Sequence, residues 1–211
     1  MPLPPRLPSA AQAAAPPADL SRAHGDDSDL AAADDRFGRA LRDSLGSFAT
    51  GVTVMTTCAE GGQAVGITIN SFSSVSLDPP LILWSLSNRS PSLDTFRRAP
   101  HYAVNVLAEE QEWISSHFSL RCNDHFASVE LIPGFAGIPL IADCLAWFEC
   151  AHEAHYPGGD HLVFVGRILR FAQGRKSKPL VFHGGRYRRL AGEPPQAAIP
   201  GSVQAAPSAA D

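Results

Sequence analysis

His152, Glu153, His155, Asp160 and His161 lie close together in the chain, and imidazole with carboxylate is the ligand set that zinc and other borderline metal ions take. Spacing argues against that use. On a strand, side chains three positions apart project to opposite faces, so His152 and His155 are not expected to share an ion, and no metal site is expected. His161 differs, because it follows the turn Pro157-Gly158-Gly159-Asp160 and opens a strand. There an imidazole can reach a ligand while its backbone stays fixed. The plainer account is a turn histidine bonded to a neighbouring carbonyl.

A second candidate is uncharged. In the stretch 65–86, VGITINSFSSVSLDPPLILWSL, apolar Val65, Ile67 and Ile69 alternate with Gly66, Thr68 and Asn70, the period of a half-buried strand. One face packs. The other offers a gap, a hydroxyl and an amide, and runs into Ser71, Ser73, Ser74 and Ser76. Asp78-Pro79-Pro80 breaks the pattern before 81–86, which reads as a buried strand. Two strands thus flank a connection dense in small donors and acceptors, which suits a flat ligand polar at its edges or one carrying phosphate. A serine-rich surface loop accounts for the same composition.

Ser87-Asn88-Arg89-Ser90-Pro91-Ser92 then precedes Leu93 and Phe96, the start of a short helix ended by Pro100. A helix start carrying an arginine and hydroxyls can hold an anion; an ordinary N-cap with a solvated Arg89 is the alternative. Other signatures are absent. There is no G-x-S-x-G elbow and no Walker loop, and Gly61, Gly62 and Gly66 do not follow a strand and open a helix, as a Rossmann fingerprint requires. A redox nucleotide bound here would need another architecture.

The elements that must position these groups are mostly strands. Phe37, Leu41, Leu45 and Phe48 recur at helical spacing after Asp34 and Asp35, which can cap a first turn, and Gly51 closes that segment. Residues 52–57 read as a strand, turned by Glu60-Gly61-Gly62-Gln63 into the strand at 65. A strand is expected over 101–107, and a helix over 109–118 with Trp113, Ile114, His117 and Phe118 available for packing. Residues 123–137 read as irregular. The run AWFECAHEAHY, turned at 157–160 into HLVFVGRILRF, is the strongest hairpin signal, and a last short pair surrounds Gly184-Gly185. Mainly β with short helices, the chain is expected to form a β-barrel or closed sheet with helices over its ends.

Composition sets the limits. A chain of 211 residues has room for one well-buried core, here a domain over 35–190. Alanine, proline, serine and aspartate dominate 1–34, and alanine and proline return from 191 to 211, so both ends read as loose tails. A net charge of -4 and a pI near 6.0 argue against a dominant nucleic-acid surface, while leaving local arginine clusters open. Cys58, Cys122, Cys144 and Cys150 show no CxxC spacing, so reduced thiols in a cytoplasmic protein are expected. No run is apolar enough for a secretory signal or a membrane span.

From Phe37 to about Leu190 the chain resembles the short-chain flavin reductase family, whose members adopt an FMN-binding split β-barrel. The resemblance is carried, in family order, by FATGVTVMTT at 48–57, GITINSFSSVSLDPP at 66–80, YAVNVLA at 102–108, DHF at 124–126, GDH at 159–161 and PLVFHGGRY at 179–187. It implies a homodimer that passes a hydride from NADH or NADPH to FMN or FAD, often supplying reduced flavin to a separate monooxygenase. A flavoprotein that retains FMN as an electron carrier, or a non-catalytic flavin-binding module, is the alternative. Residue by residue, the resemblance puts Gly66, Ile67, Thr68, Asn70 and Ser71 against the isoalloxazine or ribityl chain, with Ser85, Leu86 and Ser87 beside it. Arg89, Ser90 and Ser92 would hold phosphate, and His117 and Phe118 would approach from the following helix. His161, the residue assigned to catalysis, would seat the nicotinamide, with Tyr187 nearby. Family members often carry a basic residue at the position of Asn88; here it stands at Arg89. Hydride transfer asks the protein to stack two flat rings and exclude water, which fits the lack of a triad or carboxylate pair and makes His161 a positioning group.

Overall fold

The structure is a computed structural model that describes residues 27–120, 125–192 and 204–205. Two compact units divide between Arg42 and Asp43. The first holds most of helix α1 (Asp27–Leu45). This helix begins earlier than the sequence predicts, so Asp34 and Asp35 lie within it and do not cap it, and Asp35 pairs with Arg39 one turn on. It also stops at Leu45, which leaves Phe48 outside it. Of the expected tails, 1–26, 193–203 and 206–211 lie outside the described residues.

The second unit is built from β1 (Thr50–Gly51), β2 (Thr53–Cys58), β3 (Ala64–Ile69), β4 (Ser73–Leu77) and β5 (Pro80–Ser87), followed by α2 (Leu93–Arg98) and β6 (His101–Val106). A 3₁₀ turn (Glu109–Gln111) leads into α3 (Glu112–Ser119); then come β7 (Leu131–Pro133), β8 (Pro139–Ile141), β9 (Ala146–Gly158), β10 (His161–Gln173), β11 (Val181–His183), β12 (Arg186–Arg188) and β13 (Gln204–Ala205). Among the described residues the main sheet runs β3-β2-β6-β9-β10-β5-β4, with β13 beside β10, and β1-β11-β12 and β7-β8 form smaller sheets. Among the described residues the pairings of the main sheet are antiparallel, so short turns can join sequential neighbours.

The hairpins fall where alternation and turn residues put them: β2 with β3, β9 with β10, and β11 with β12. Three segments differ from expectation. The serines of 73–77 are not a connection but the strand β4, paired with β5 on the edge of the sheet, where solvent-facing side chains need no apolar alternation. Within 123–137, Leu131–Pro133 is a strand because Pro139–Ile141 returns beside it. In the C-terminal stretch, Gln204 and Ala205 pair with Phe171 and Arg170 of β10.

Inside the sheet, Trp84 stacks on Phe164 at 4.3 Å and meets Phe96 and Tyr102 edge-on at 5.1 and 5.5 Å, contacts worth about 0.5–1.5 kcal/mol each beyond their area. A second cluster joins Val52 and Val54 to Ile114 and Phe118 of α3, Ile141 and Leu180. Trp113, expected to pack with them, is 51% exposed because it falls on the outer side of the helix. Between the clusters, fully buried Asn105 donates to Val54 O at 2.9 Å and Thr56 Oγ1 at 3.0 Å and accepts from Ile141 N–H at 2.8 Å. Every polar atom of that amide has a partner, as burial demands.

One expectation about histidines is overturned. Ala154 opposes Val165 but His152 opposes Gly166, so Glu153 is an extra residue in β9. Such a bulge resets the alternation and brings His152 Nε2 within 3.0 Å of His155 Nδ1, on one side of the strand. Among the described residues no group of three or more His, Cys, Asp or Glu could hold a metal. Burial, with the neighbouring His155 adding to it, holds the His152 pKa below the ordinary value, against the opposing bond to Ala99 O. The unfolded chain then binds a proton that the folded one refuses, so stability present above about pH 6.5 is lost as pH falls. Thermal melts should show a smaller drop between about pH 7 and pH 5 for His152→Asn than for the parent; equal drops would assign the effect to other groups.

Candidate functional site

A cleft of about 970 Å³ opens between β3 and the loop from β5 to α2, closed at one end by α3 and the segment after it. Its volume is within the range of nucleotide-sized ligand sites. On the β3 side the period-2 alternation holds: Val65 and Ile67 pack with Ile69 against the inner core, while Gly66 turns toward α3. A Cβ at Gly66 would stand 2.5 and 2.7 Å from Phe118 ring carbons and 3.1 Å from Phe126, so the absent side chain is what lets these rings close down on the strand.

The opposite wall is the 87–92 loop. Ser87 Oγ accepts from the Arg89 N–H at 3.3 Å, and Ser90 Oγ accepts from the Ser92 N–H at 3.3 Å. Both hydroxyls therefore shape the backbone while keeping an O–H to donate. Ser92 occupies the N-cap position of α2 but makes no side-chain capping bond, so the plain N-cap account does not use its hydroxyl. Arg89 has no ion pair among the described residues.

Of the residues expected at the site, Gly66, Ile67, Ser87, Arg89, Ser90, Ser92 and Phe118 line this cleft. Thr68, Asn70 and Tyr187 line a smaller hollow of about 160 Å³, which adjoins the cleft at Ser119. There Thr68 Oγ1 donates to Ser115 O at 2.7 Å, and Tyr187 OH lies 2.7 Å from Ser115 Oγ. Ser71 and Ser85 line neither space. Ser71 Oγ donates to Ser85 O and accepts from Ser85 N–H, both at 3.0 Å, tying the chain after β3 to β5. Leu86 is 3% exposed and belongs to the inner core, so its side chain is not available. His117 also stands outside the lining, its Nε2 buried without a hydrogen-bond partner among the described residues and its ring edge-on to Phe118.

His161 opens β10 directly opposite Ser87. Its Nδ1 lies 2.7 Å from Asp160 Oδ1, and that bond, with the adjacent imidazole's charge, lowers the Asp160 carboxyl below its ordinary value. Gly159 turns the hairpin at φ 68°, a conformation that costs glycine little. The turn is fastened to the cleft loop: Asn88 N–H donates to Asp160 O at 2.9 Å and Asn88 Nδ2 to Gly159 O at 3.1 Å. Asn88 thus serves as the staple where a basic side chain was looked for.

Sequence reasoning gave no role to Gln63, Thr95, His125 and Phe126, all of which line the cleft. His125 stacks on Phe118 at 5.4 Å and its Nε2 lies 2.7 Å from Leu120 O. The DHF motif at 124–126 was the available signal for two of them, with Asp124 outside the described residues. Among the described residues the assembled cleft holds neutral donors, an arginine outside any ion pair and an aromatic wall, and no acid–base pair or metal ligand set. It is equipped to hold and orient a flat, phosphorylated guest.

Comparison with known proteins agrees with this geometry. The model of the flavin reductase like domain matches residues 45–191. The chain is 41% identical over 167 residues to a Rhizobium meliloti protein named "Probable flavin reductase", covering 79% of this chain and 54% of that one. It is 42% identical over 152 residues to an FMN reductase (NADH) of Agrobacterium fabrum, covering 72% and 86%. The chain thus spans about half the length of the first relative and most of the second. Among solved structures, the Streptomyces globisporus NADH:FAD oxidoreductase in complex with NAD and FAD fragments matches with a TM-score of 0.70 at 38% identity, covering 78% of this chain and 96% of that one. The resemblance read in the motifs holds over residues 45–191, and the chain belongs to the flavin reductase like domain family.

Proposed function

We propose that this chain is an NAD(P)H:flavin oxidoreductase, taking a hydride from NADH or NADPH to FMN or FAD and supplying reduced flavin to a separate monooxygenase. The observation that carries the reading is the cleft between β3 and the 87–92 loop, with its glycine floor and unpaired Arg89. The relatives named as NADH-using flavin reductases support the reaction class, and those named as reductase components of monooxygenases support the partner. The bound flavin supplies the hydride-accepting chemistry. The chain's own residues bind and orient: Arg89, Ser90 and Ser92 take phosphate, Gly66, Ile67 and Phe118 flank the ring system, and Thr68, Asn70 and Tyr187 take the polar edge nearest the small hollow. His161, fixed by Asp160, seats the nicotinamide beside Ser87.

The proposal includes a cytoplasmic split-barrel homodimer with its domain over 35–190. Three features support it: β3 and β4, the two ends of the main sheet, are joined by only residues 70–72; Leu77 on the edge strand β4 is 94% exposed; and Cys58, Cys144 and Cys150 are free thiols. Among the described residues no helix is long and apolar enough to cross a membrane.

The test is to mix purified protein, NADH and free FMN or FAD and follow the nicotinamide absorbance. Turnover that depends on added flavin is expected. Oxidation only with a retained flavin and a separate acceptor would favour the electron-carrier alternative, and none at all would end the enzymatic reading. For His161→Ala the KM for NADH should rise about tenfold with flavin affinity within twofold, because one positioning contact of about 1–2 kcal/mol is lost. Equal losses in both would mean the histidine serves the flavin.

A further inference from the structure

The charge of this chain is unevenly placed. Residues 161–192 contain eight Lys and Arg and no Asp or Glu, in a protein whose net charge is -4. Three of these cations are answered by carboxylates: Arg167 by Glu153 at 2.7 Å, Arg170 by Glu149 at 3.4 Å and Arg175 by Glu110 at 3.7 Å. Arg186, Arg188 and Arg189 have no ion pair among the described residues, and Lys178 Nζ donates to the neutral Leu190 carbonyl at 3.2 Å. The nearby Glu110 carboxyl senses the excess. Its pKa is lowered, first by the Ser177 hydroxyl and also by the charges of Arg175 and Arg189.

These unanswered cations sit around the hairpin that completes the small hollow. β12 is an outer strand of its sheet, and alternation turns Tyr187 inward, to Ser115 and the hollow, while Arg186 and Arg188 project from the other, exposed face of the same strand. The hollow shares Ser119 with the main cleft. The hairpin bordering the hollow therefore presents positive charge to solvent on a protein whose net charge is negative.

We propose that Arg186, Arg188 and Arg189 form a steering surface that draws the phosphate-bearing flavin to the cleft, as fields of one sign focused at a site entrance raise association rates. The inference rests on the flavin-reductase reading. The plainer account, that charges on an edge strand discourage pairing with other chains, predicts no effect on ligand capture.

Stopped-flow flavin fluorescence without NADH separates them, using FMN and FAD as anionic probes and riboflavin as the uncharged one. Between about 20 mM and about 500 mM salt the screening length shrinks from about 20 Å to about 4 Å. Over that range the association rate for FMN or FAD should fall about tenfold and that for riboflavin should stay within twofold. In Arg186→Gln/Arg188→Gln the low-salt rate for FMN should be about fivefold below the parent, and the two proteins should converge at high salt. A defect of folding would persist at high salt. A double variant that keeps the parent's salt dependence, or an equal dependence for riboflavin, would overturn the steering role. If none of the three flavins binds, the functional reading fails and takes the inference with it.

Discussion

Arg89→Gln should raise the dissociation constant for FMN about thirtyfold while leaving that for riboflavin within twofold, a loss of about 2 kcal/mol from one charge-assisted hydrogen bond to phosphate. The size follows from the setting. Arg89 makes no ion pair among the described residues to surrender when a ligand arrives, although its charge is a minor contributor to the lowered Asp160 carboxyl, and its backbone is already held by Ser87 Oγ, so the loop needs little ordering on binding. The loss should appear mainly as faster dissociation, unlike the salt-dependent association expected of Arg186 and Arg188. Arg89→Lys should fall between, because an ammonium keeps the charge and loses the planar fork. Fluorescence titrations of FMN and riboflavin decide it: parallel changes for both would mean that Arg89 shapes the loop and does not meet phosphate.

Gly66→Ala should lower the melting temperature by about 4–8 °C, corresponding to about 2 kcal/mol of overpacking in a chain of this size, and weaken flavin binding with it. The new Cβ would lie 2.5 Å from Phe118 Cε1. Phe118 is 2% exposed, stacked on His125 and edge-on to Phe126 at 5.0 Å, so its ring has little space to retreat. Because that ring also lines the cleft, relief of the clash narrows the site. Phe118→Leu should recover part of the stability in the Gly66→Ala background while costing stability alone, a non-additivity expected of touching residues. A melting temperature unchanged by Gly66→Ala would mean that α3 does not close on β3 in this way.

The hairpins were legible because local rules suffice for them: alternation on both arms and glycine between, at Gly61-Gly62, Gly159 and Gly184-Gly185. The bulge at Glu153 was not, since it is a relation between β9 and β10 and leaves no mark on β9 alone; for that reason His152 and His155 were put on opposite faces. β4 is hard to read because its alternation, Val75 and Leu77 against Ser74 and Ser76, is short and stops at Asp78-Pro79-Pro80. At the site, Arg89, Ser90 and Ser92 could be read from one short segment. Ser71, Ser85 and Leu86 could not be sorted the same way, because only the pairing of the chain after β3 with β5 decides that the two serines bond each other and that Leu86 faces the core. Gln63 and His125 join the cleft from segments far apart in sequence, and no local pattern announces that meeting.

Asn88 holds the Gly159–His161 turn to the loop that carries Arg89, through its backbone N–H and its side-chain amide. The histidine and the arginine are thus mounted on one bracket. An engineer who transplants either loop from a relative to alter coenzyme preference must move the other with it, or the grafted half will arrive without the joint that sets its angle.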